Sequence, residues 1–369
     1  MLYVHIPYCH RKCTYCAFYS AVTAADKQGY VEALCRELEG RRSEMPHPLR
    51  TVYFGGGTPT LLSSAQLGQI VEVIRRNYNV SKIEEATIEA NPEDLTAEFL
   101  QELSGLDFFN RVSIGVQSFR DEDLRILNRR HTAKQSREAV ERVLRAGIGN
   151  ISIDLIYGLP GQDLEGWRAN LAIVDELPVM HLSAYALTVE PGTMLARQIG
   201  EGRVAPADEE VVMGQYQELR AWAAAAGFEQ YEVSNFARSG FRSRHNSRYW
   251  DRTPYLGAGA AAHSFDGSYR RWNVGDVKQY IEGSGLGMVP FEQERLSPED
   301  GYNEFLMTAL RTVEGIEKSQ VPQAFSNRLE HDVRRYVVAG LIEDTATHYR
   351  PTAEGLLHAD GIASELFID

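Results

Sequence analysis

The sequence predicts an α/β fold, a parallel sheet interleaved with helices, followed by an α+β extension and a small, winged-helix-like helical module. Three observations carry this. Six short β-branched or aromatic runs alternate with amphipathic helical patterns over the first half of the chain. Each of the first five runs is followed at once by unusual polar or glycine-rich residues. After about residue 190 the alternation stops and the spacing loosens.

The runs expected as strands are Leu2–Ile6, Thr51–Phe54, Ala86–Glu89, Arg111–Val116, Ile151–Ile156 and Leu182–Leu187. Between the second and third, Leu67, Ile70, Val71 and Ile74 form an i, i+3, i+4, i+7 stripe, and Ser63 or Ser64 suits the helix cap. Strand–helix alternation implies parallel strands, either doubly wound or closed towards a barrel. The first five strands lead, in order, into a cysteine cluster, Gly55-Gly56-Gly57-Thr58-Pro59, Glu89-Ala90-Asn91-Pro92, Gln117-Ser118 and the stretch from Asp154 to Gly161. Polar residues gathered after strand C-termini mark the working face of such folds.

Residues 1–190 are therefore expected to form the core domain, 191–290 the extension and 291–369 the terminal module. The extension starts at the Pro191-Gly192 turn, carries a helix over about Asp208–Ala225 and a strand-like stretch ending near Val233. In the terminal module, helices near Tyr302–Arg311 and Arg328–Val338 precede a hairpin at Leu341–Arg350 and a helix after Thr352. That order is similar to a winged helix.

Composition narrows the function. A chain of 369 residues with 43% hydrophobic and 24% charged residues buries enough surface to need no disulfides. No apolar run reaches the length of a membrane helix, and the start lacks the features of a signal peptide, so a cytoplasmic protein is expected. With 38 basic against 51 acidic residues the net charge is −13, which argues against a nucleic-acid partner.

Cys9, Cys13 and Cys16 place three thiolates on one short loop. Such ligands suit an iron–sulfur cluster or zinc. A structural zinc site needs a fourth ligand, for which only His5, His10 or the distant Cys35 is at hand. Cys35 falls with Val31 and Leu38 on the inner stripe of a helix, where it behaves as a small hydrophobe. Three thiolates on a four-iron cluster leave one iron open to another ligand.

The Cys-x3-Cys-x2-Cys spacing resembles the radical S-adenosylmethionine (SAM) superfamily, whose resemblance implies a partial (β/α)6 barrel, a [4Fe-4S] cluster and SAM on the open iron. The glycine run after the second strand occupies the slot where backbone approaches SAM in that superfamily. The resemblance sharpens to the anaerobic coproporphyrinogen oxidase-like family. Tyr3-Val-His-Ile-Pro-Tyr-Cys9, Phe54-Gly-Gly-Gly-Thr-Pro, Glu89-Ala-Asn-Pro, Gly115-Val-Gln117-Ser, Asp154-Leu-Ile-Tyr-Gly-Leu-Pro-Gly161 and Tyr231-Glu-Val-Ser-Asn-Phe match it in order. By that resemblance Tyr3, Tyr15, Gly57, Thr58, Glu89, Gln117, Arg129 and Asp154 contact SAM. On chemistry alone Glu89 and Asp154 could equally be a salt bridge or a helix cap.

Two members of that family compete: the oxidase, which decarboxylates coproporphyrinogen III, and a heme chaperone, which binds heme and passes it to acceptor proteins. The oxidase has a long segment before its cysteines and a further Cys two positions after the third; here Cys9 lies near the start and Phe18 holds the later position. His245-Asn-Ser-Arg-Tyr249-Trp250 resembles the HNxxYW motif of the chaperone group. From Arg238 to Arg252 five arginines face one acid, Asp251. Arginine forks suit propionates, so Arg244 and Arg248 are expected to pair with heme, Tyr249 and Trp250 to lie flat on it and His245 to ligate its iron. A solvated loop histidine in a surface patch is the plainer alternative. No catalytic residue is assigned, and the expectation leans towards a carrier rather than an enzyme.

Overall fold

The computed structural model describes residues 1–17, 19–21 and 26–368; Phe18 therefore lies outside the described residues. The six expected strands are present, each to within a residue or two: β1 (Leu2–Ile6), β2 (Thr51–Gly56), β3 (Glu85–Ala90), β4 (Arg111–Gln117), β5 (Asn150–Tyr157) and β6 (His181–Ala186). They are parallel and lie side by side in chain order. A doubly wound sheet reverses its order at a switch point, and this one does not, so the arrangement is that of a partial barrel.

The barrel stays open, and the extension seals both edges. Asn235–Ala237 adds antiparallel to β6, with Glu229–Gln230 beyond it, and Leu256–Ala258 adds parallel to β1. Edge strands left bare present unpaired backbone groups, so this docking protects the sheet. The core of buried side chains runs unbroken from Leu2 to Val289, so residues on both sides of position 190 share it. The stretch expected as a strand ending near Val233 is only two residues long. Glu232 turns the chain there, accepting the Ser234 N–H at 2.9 Å and the Asn235 amide at 2.5 Å.

Side chains alternate along each strand with a period of two. One set, including Leu2, Val4, Ile6, Val52, Phe54, Ile88, Val112, Ile114, Ile151 and Ile153, is fully buried in the core between sheet and helices. The other set faces the barrel interior and is polar: Tyr3, His5, Thr51, Tyr53, Glu89, Arg111, Ser113, Asp154, His181 and Ser183. The Ser64–Asn77 helix begins at Ser63, whose side chain and that of Gln66 form a reciprocal capping box. Asp208 caps the Glu209–Ala225 helix through its side chain, accepting from Glu210 N.

The terminal module has its own core, from Tyr302 to Leu366. Helices Pro298–Ala309 and Gln323–Val338 pack with a three-stranded antiparallel sheet of Ile316–Glu317, His348–Pro351 and Ile342–Asp344, and helix Ala359–Glu365 closes it. The cations of the Gln323–Val338 helix are paired: Arg328 with Asp332, Arg334 with Glu330, Arg335 with Glu365. It presents no basic recognition face. Among the described residues no helix is long and apolar enough to cross a membrane.

Candidate functional site

A cavity of about 550 Å3 opens at the C-terminal ends of the strands. Every residue expected to serve the cluster or SAM lines it: Tyr3, Cys9, Cys13, Tyr15, Cys16, Gly57, Thr58, Glu89, Gln117, Arg129 and Asp154. They come from five strand ends and the loops after them, which is why local sequence separates what the fold gathers.

The cysteine loop follows β1 and is tied to its neighbours by backbone bonds, Cys9 N–H to Ala21 O and Thr14 N–H to Leu127 O, each 3.2 Å. Cys9 Sγ accepts from Thr58 Oγ1 at 3.7 Å, and Arg129 Nη1 lies 3.3 Å from Cys13 Sγ. Burial pushes the Cys9 thiol up from its ordinary range. No disulfide joins the cysteines. Among the described residues no three His, Cys, Asp or Glu side chains converge on one point where a single ion could sit. The three thiols face one cavity and offer soft donors of the kind that hold an iron–sulfur cluster. Cys35 sits on the Lys27–Gly40 helix, half-buried against the core and outside the cavity lining.

The glycine strand end explains itself sterically. A Cβ on Gly57 would lie 2.6 Å from Tyr8 O and 2.9 Å from Ile6 O, while its N–H donates to Ile6 O at 2.8 Å. Gly57 thus lets β2 press against the root of the cysteine loop, a tighter constraint than room for a ligand. Gln117 holds a positive φ of 67° beside a register shift in β4, so its side chain is re-aimed into the cavity.

Two carboxyls stand inside. Glu89 accepts from Tyr53 Oη at 2.7 Å and from Gly56 N at 3.0 Å. Burial raises its pKa to about 7, and burial raises that of Asp154 to about 6, against the pull of Ser183, Arg111 and Arg129. Arg111 lies beneath them, 1% exposed, with Nε and Nη1 lacking a protein partner. Arg129 spans Asn91 Oδ1 at 2.5 Å and Gly115 O at 2.7 Å. Tyr53 and Arg111 escape the sequence analysis as site residues. Period-two counting back from Gly57 and Gln117 along β2 and β4 is the signal that finds them.

The segment expected to hold heme is elsewhere. Arg244–Trp250 is a short helix capped by Ser243, and it closes the opposite end of the barrel like a floor. His245 is fully buried; its Nδ1 is 2.9 Å from Thr51 Oγ1 and its Nε2 is 3.2 Å from Tyr249 Oη. Arg244 pairs with Glu84 at 2.7 Å, Arg242 with Glu314 at 2.8 Å and Arg252 with Glu304 at 3.5 Å. Buried atoms of Arg248 and Trp250 face the protein, and Arg311 sits over the Trp250 ring. The structure thus brings His245 and Tyr249 together, pairs Arg242, Arg244 and Arg252 with acids, and engages both nitrogens of the imidazole.

Residues 3–171 match the Radical SAM superfamily model and residues 296–358 the HemN C-terminal domain model. The chain is 34% identical over 360 residues to the heme chaperone HemW of Bacillus subtilis, covering 96% of this chain and 94% of that one. It is 33% identical over 374 residues to HemW of Mycobacterium tuberculosis, covering 99% and 94%. The solved coproporphyrinogen III oxidase (HemN) of Escherichia coli matches with a TM-score of 0.85 at 25% identity, covering 99% of this chain and 89% of that one. Cysteine loop and barrel mouth are those of a radical SAM protein, a class that implies a [4Fe-4S] cluster and SAM. Within that class, its likeness over nearly the whole length of both partners places the chain in the HemW family.

Proposed function

We propose that this protein is a heme chaperone: it binds heme, carries a [4Fe-4S] cluster on Cys9, Cys13 and Cys16 with SAM beside it, and hands heme to acceptor proteins. The observation that carries this is the near full-length identity to curated heme chaperones. Bound together, cluster and SAM supply one-electron chemistry at the cavity. The chain's own residues hold them. Arg129 offers a fixed guanidinium to a carboxylate, and Glu89 and Asp154 offer buried acceptors to cationic groups; Tyr3, Tyr15, Gly57, Thr58 and Gln117 complete the wall. Three cysteines grouped on one loop as cluster ligands suit a reducing compartment, which supports the cytoplasm as its place of work.

Heme at the floor helix, on His245, Arg244, Arg248, Tyr249 and Trp250, requires that helix to leave the barrel. The cavity mouth requires no such opening. Ile156, Tyr185 and Leu187 form an apolar wall there, with Arg11 and Arg130 close by as partners for propionates. We therefore place heme at the mouth.

The second reading, oxygen-independent coproporphyrinogen III oxidase, is favoured by the TM-score of 0.85 to that enzyme. Anaerobic reconstitution with iron and sulfide, then heme titration and a coproporphyrinogen assay with SAM, separates the two. Stoichiometric heme without turnover is expected; turnover of coproporphyrinogen overturns the chaperone reading.

A further inference from the structure

His245 is the histidine of the floor helix, and its contacts lead upward into the cavity. The helix is anchored by Glu85, whose carboxylate accepts the N–H groups of Arg244 and His245, each at 2.9 Å. The imidazole then meets two successive inward residues of β2. Its Nδ1 reaches Thr51 Oγ1 at 2.9 Å, and its ring stacks on Tyr53 with centroids 5.1 Å apart and planes 29° apart. Held from below, Tyr53 points its hydroxyl at Glu89 Oε1, 2.7 Å away. On its other side Tyr53 stacks against Tyr3, centroids 6.2 Å apart at 26°, and Tyr3 Oη is 3.0 Å from His5 Nδ1. Glu89, Tyr3 and His5 all line the cavity. One side chain, Tyr53, thus stands between the floor histidine and the buried carboxyl of the SAM pocket.

We propose that His245 is a positioning residue for Glu89, acting through Tyr53, and that the histidine of the HNxxYW segment serves the SAM pocket rather than heme iron. Three features support it. The ring is fully buried with both nitrogens engaged, so it has nothing to offer a metal without breaking the floor. A tyrosine stacked on one face only would have room to tilt if the imidazole were removed, and the hydroxyl-to-carboxylate bond would lengthen with it. Glu89 is buried with few donors, the Tyr53 hydroxyl and the Gly56 N–H, so losing one leaves a costly unsatisfied acceptor.

This inference rests on the assignment of Glu89 to SAM, and the experiment keeps the two apart. SAM affinity of the reconstituted, cluster-loaded protein is titrated for wild type, Glu89→Gln, Tyr53→Phe, His245→Ala, His245→Phe and the Tyr53→Phe/His245→Ala pair. The electron paramagnetic resonance of the reduced cluster is recorded with and without SAM, and each variant is also titrated with heme. Tyr53→Phe keeps the stack and removes the bond to Glu89. It should raise the SAM dissociation constant roughly ten-fold, as expected for one hydrogen bond to a charged group. His245→Ala should do the same, and the double variant should be no worse than either alone, because both changes break one path. His245→Phe, which restores a ring under Tyr53, should recover most of the affinity. The Soret band of added heme should be unchanged throughout. Additive losses in the double variant overturn the inference, as does a normal SAM affinity in His245→Ala with an altered Soret band. If Glu89→Gln itself binds SAM normally, the pocket assignment fails and the inference with it. Should His245→Ala not fold, Tyr53→Phe and His245→Phe carry the same test, and a ten-fold loss in the first with none in the second is the supporting result.

Discussion

Arg129 and Cys13 are 116 residues apart in sequence, yet a guanidinium nitrogen of one lies 3.3 Å from the sulfur of the other. The cation is fixed from two further sides, by Asn91 and Gly115, and its own pKa is raised, against burial, by Tyr15 and Cys13. A cation so held sets a fixed positive charge beside the sulfur of Cys13, one of the three cluster ligands.

Arg129→Met should therefore weaken cluster assembly as well as SAM binding. Reconstituted absorbance near the iron–sulfur bands, scored as iron per chain, should fall well below wild type, and Arg129→Lys should restore part of it. Full iron content in Arg129→Met would contradict a role at Cys13.

Replacing Cys9, Cys13 or Cys16 singly by Ala should abolish the [4Fe-4S] spectrum, because a methyl group cannot ligate iron. Cys35→Ala should retain it and lose only packing against the core. Iron and sulfide analysis of the four purified variants checks this directly.

Gly57 is a sharper case than a general need for room. Its Cβ would strike backbone at Ile6, Pro7 and Tyr8, and backbone has no side-chain rotamer with which to retreat. Gly57→Ala should already depress both iron content and SAM binding, and Gly57→Val should depress them further. From the sequence alone, loss of SAM ahead of the cluster is the natural expectation; contact with the root of the cysteine loop joins the two losses. Unaltered iron content in Gly57→Val would refute the close approach.

The carboxyls make stability depend on pH in a defined direction. Glu89 and Asp154 hold protons more tightly when folded, at about 7 and about 6, than their ordinary values of 4.5 and 3.8. The unfolded chain thus binds fewer protons between those limits, and by linkage the ligand-free protein loses stability as pH rises through them to about 7. Glu89→Gln should flatten part of that slope and be more stable than wild type near pH 8. The same change should weaken SAM, whose cationic groups gain from the ionised carboxylate, so wild-type affinity should climb as pH approaches about 7. Chemical denaturation and SAM titration across pH check both; a steeper slope in Glu89→Gln would count against it.

Much of the fold is legible because it is written in short periods. Short β-branched or aromatic runs locate all six strands, and a four-residue stripe with its serine cap locates the Ser64–Asn77 helix. The cavity lining is legible through motifs at strand ends. The floor helix is not: seven residues are too few for a helical stripe, and the acids that pair with Arg244 and with Arg242 just before the helix are remote. Glu84 lies 160 residues from Arg244 and Glu314 lies 72 from Arg242. A run of like charges looks open to ligands until the fold supplies such acids. The burial of His245 is hidden for the same reason, since Thr51 and Tyr53 lie on a strand far upstream.

The two faces of the parallel strands divide labour in a way that bears on how such a chain changes over generations. Leu2, Val4, Val52, Ile88, Val112 and Ile153 carry the folding free energy under the helices, while Tyr3, Glu89, Ser113 and Asp154 face a space that packing does not fill. A substitution on the inner face leaves no hole in the core, so selection can retune what the barrel holds while the outer face stands guard over folding. Carrier and oxidase can then descend from one scaffold by exchanging a few inward side chains, and drift between cargo and substrate needs no passage through an unstable intermediate.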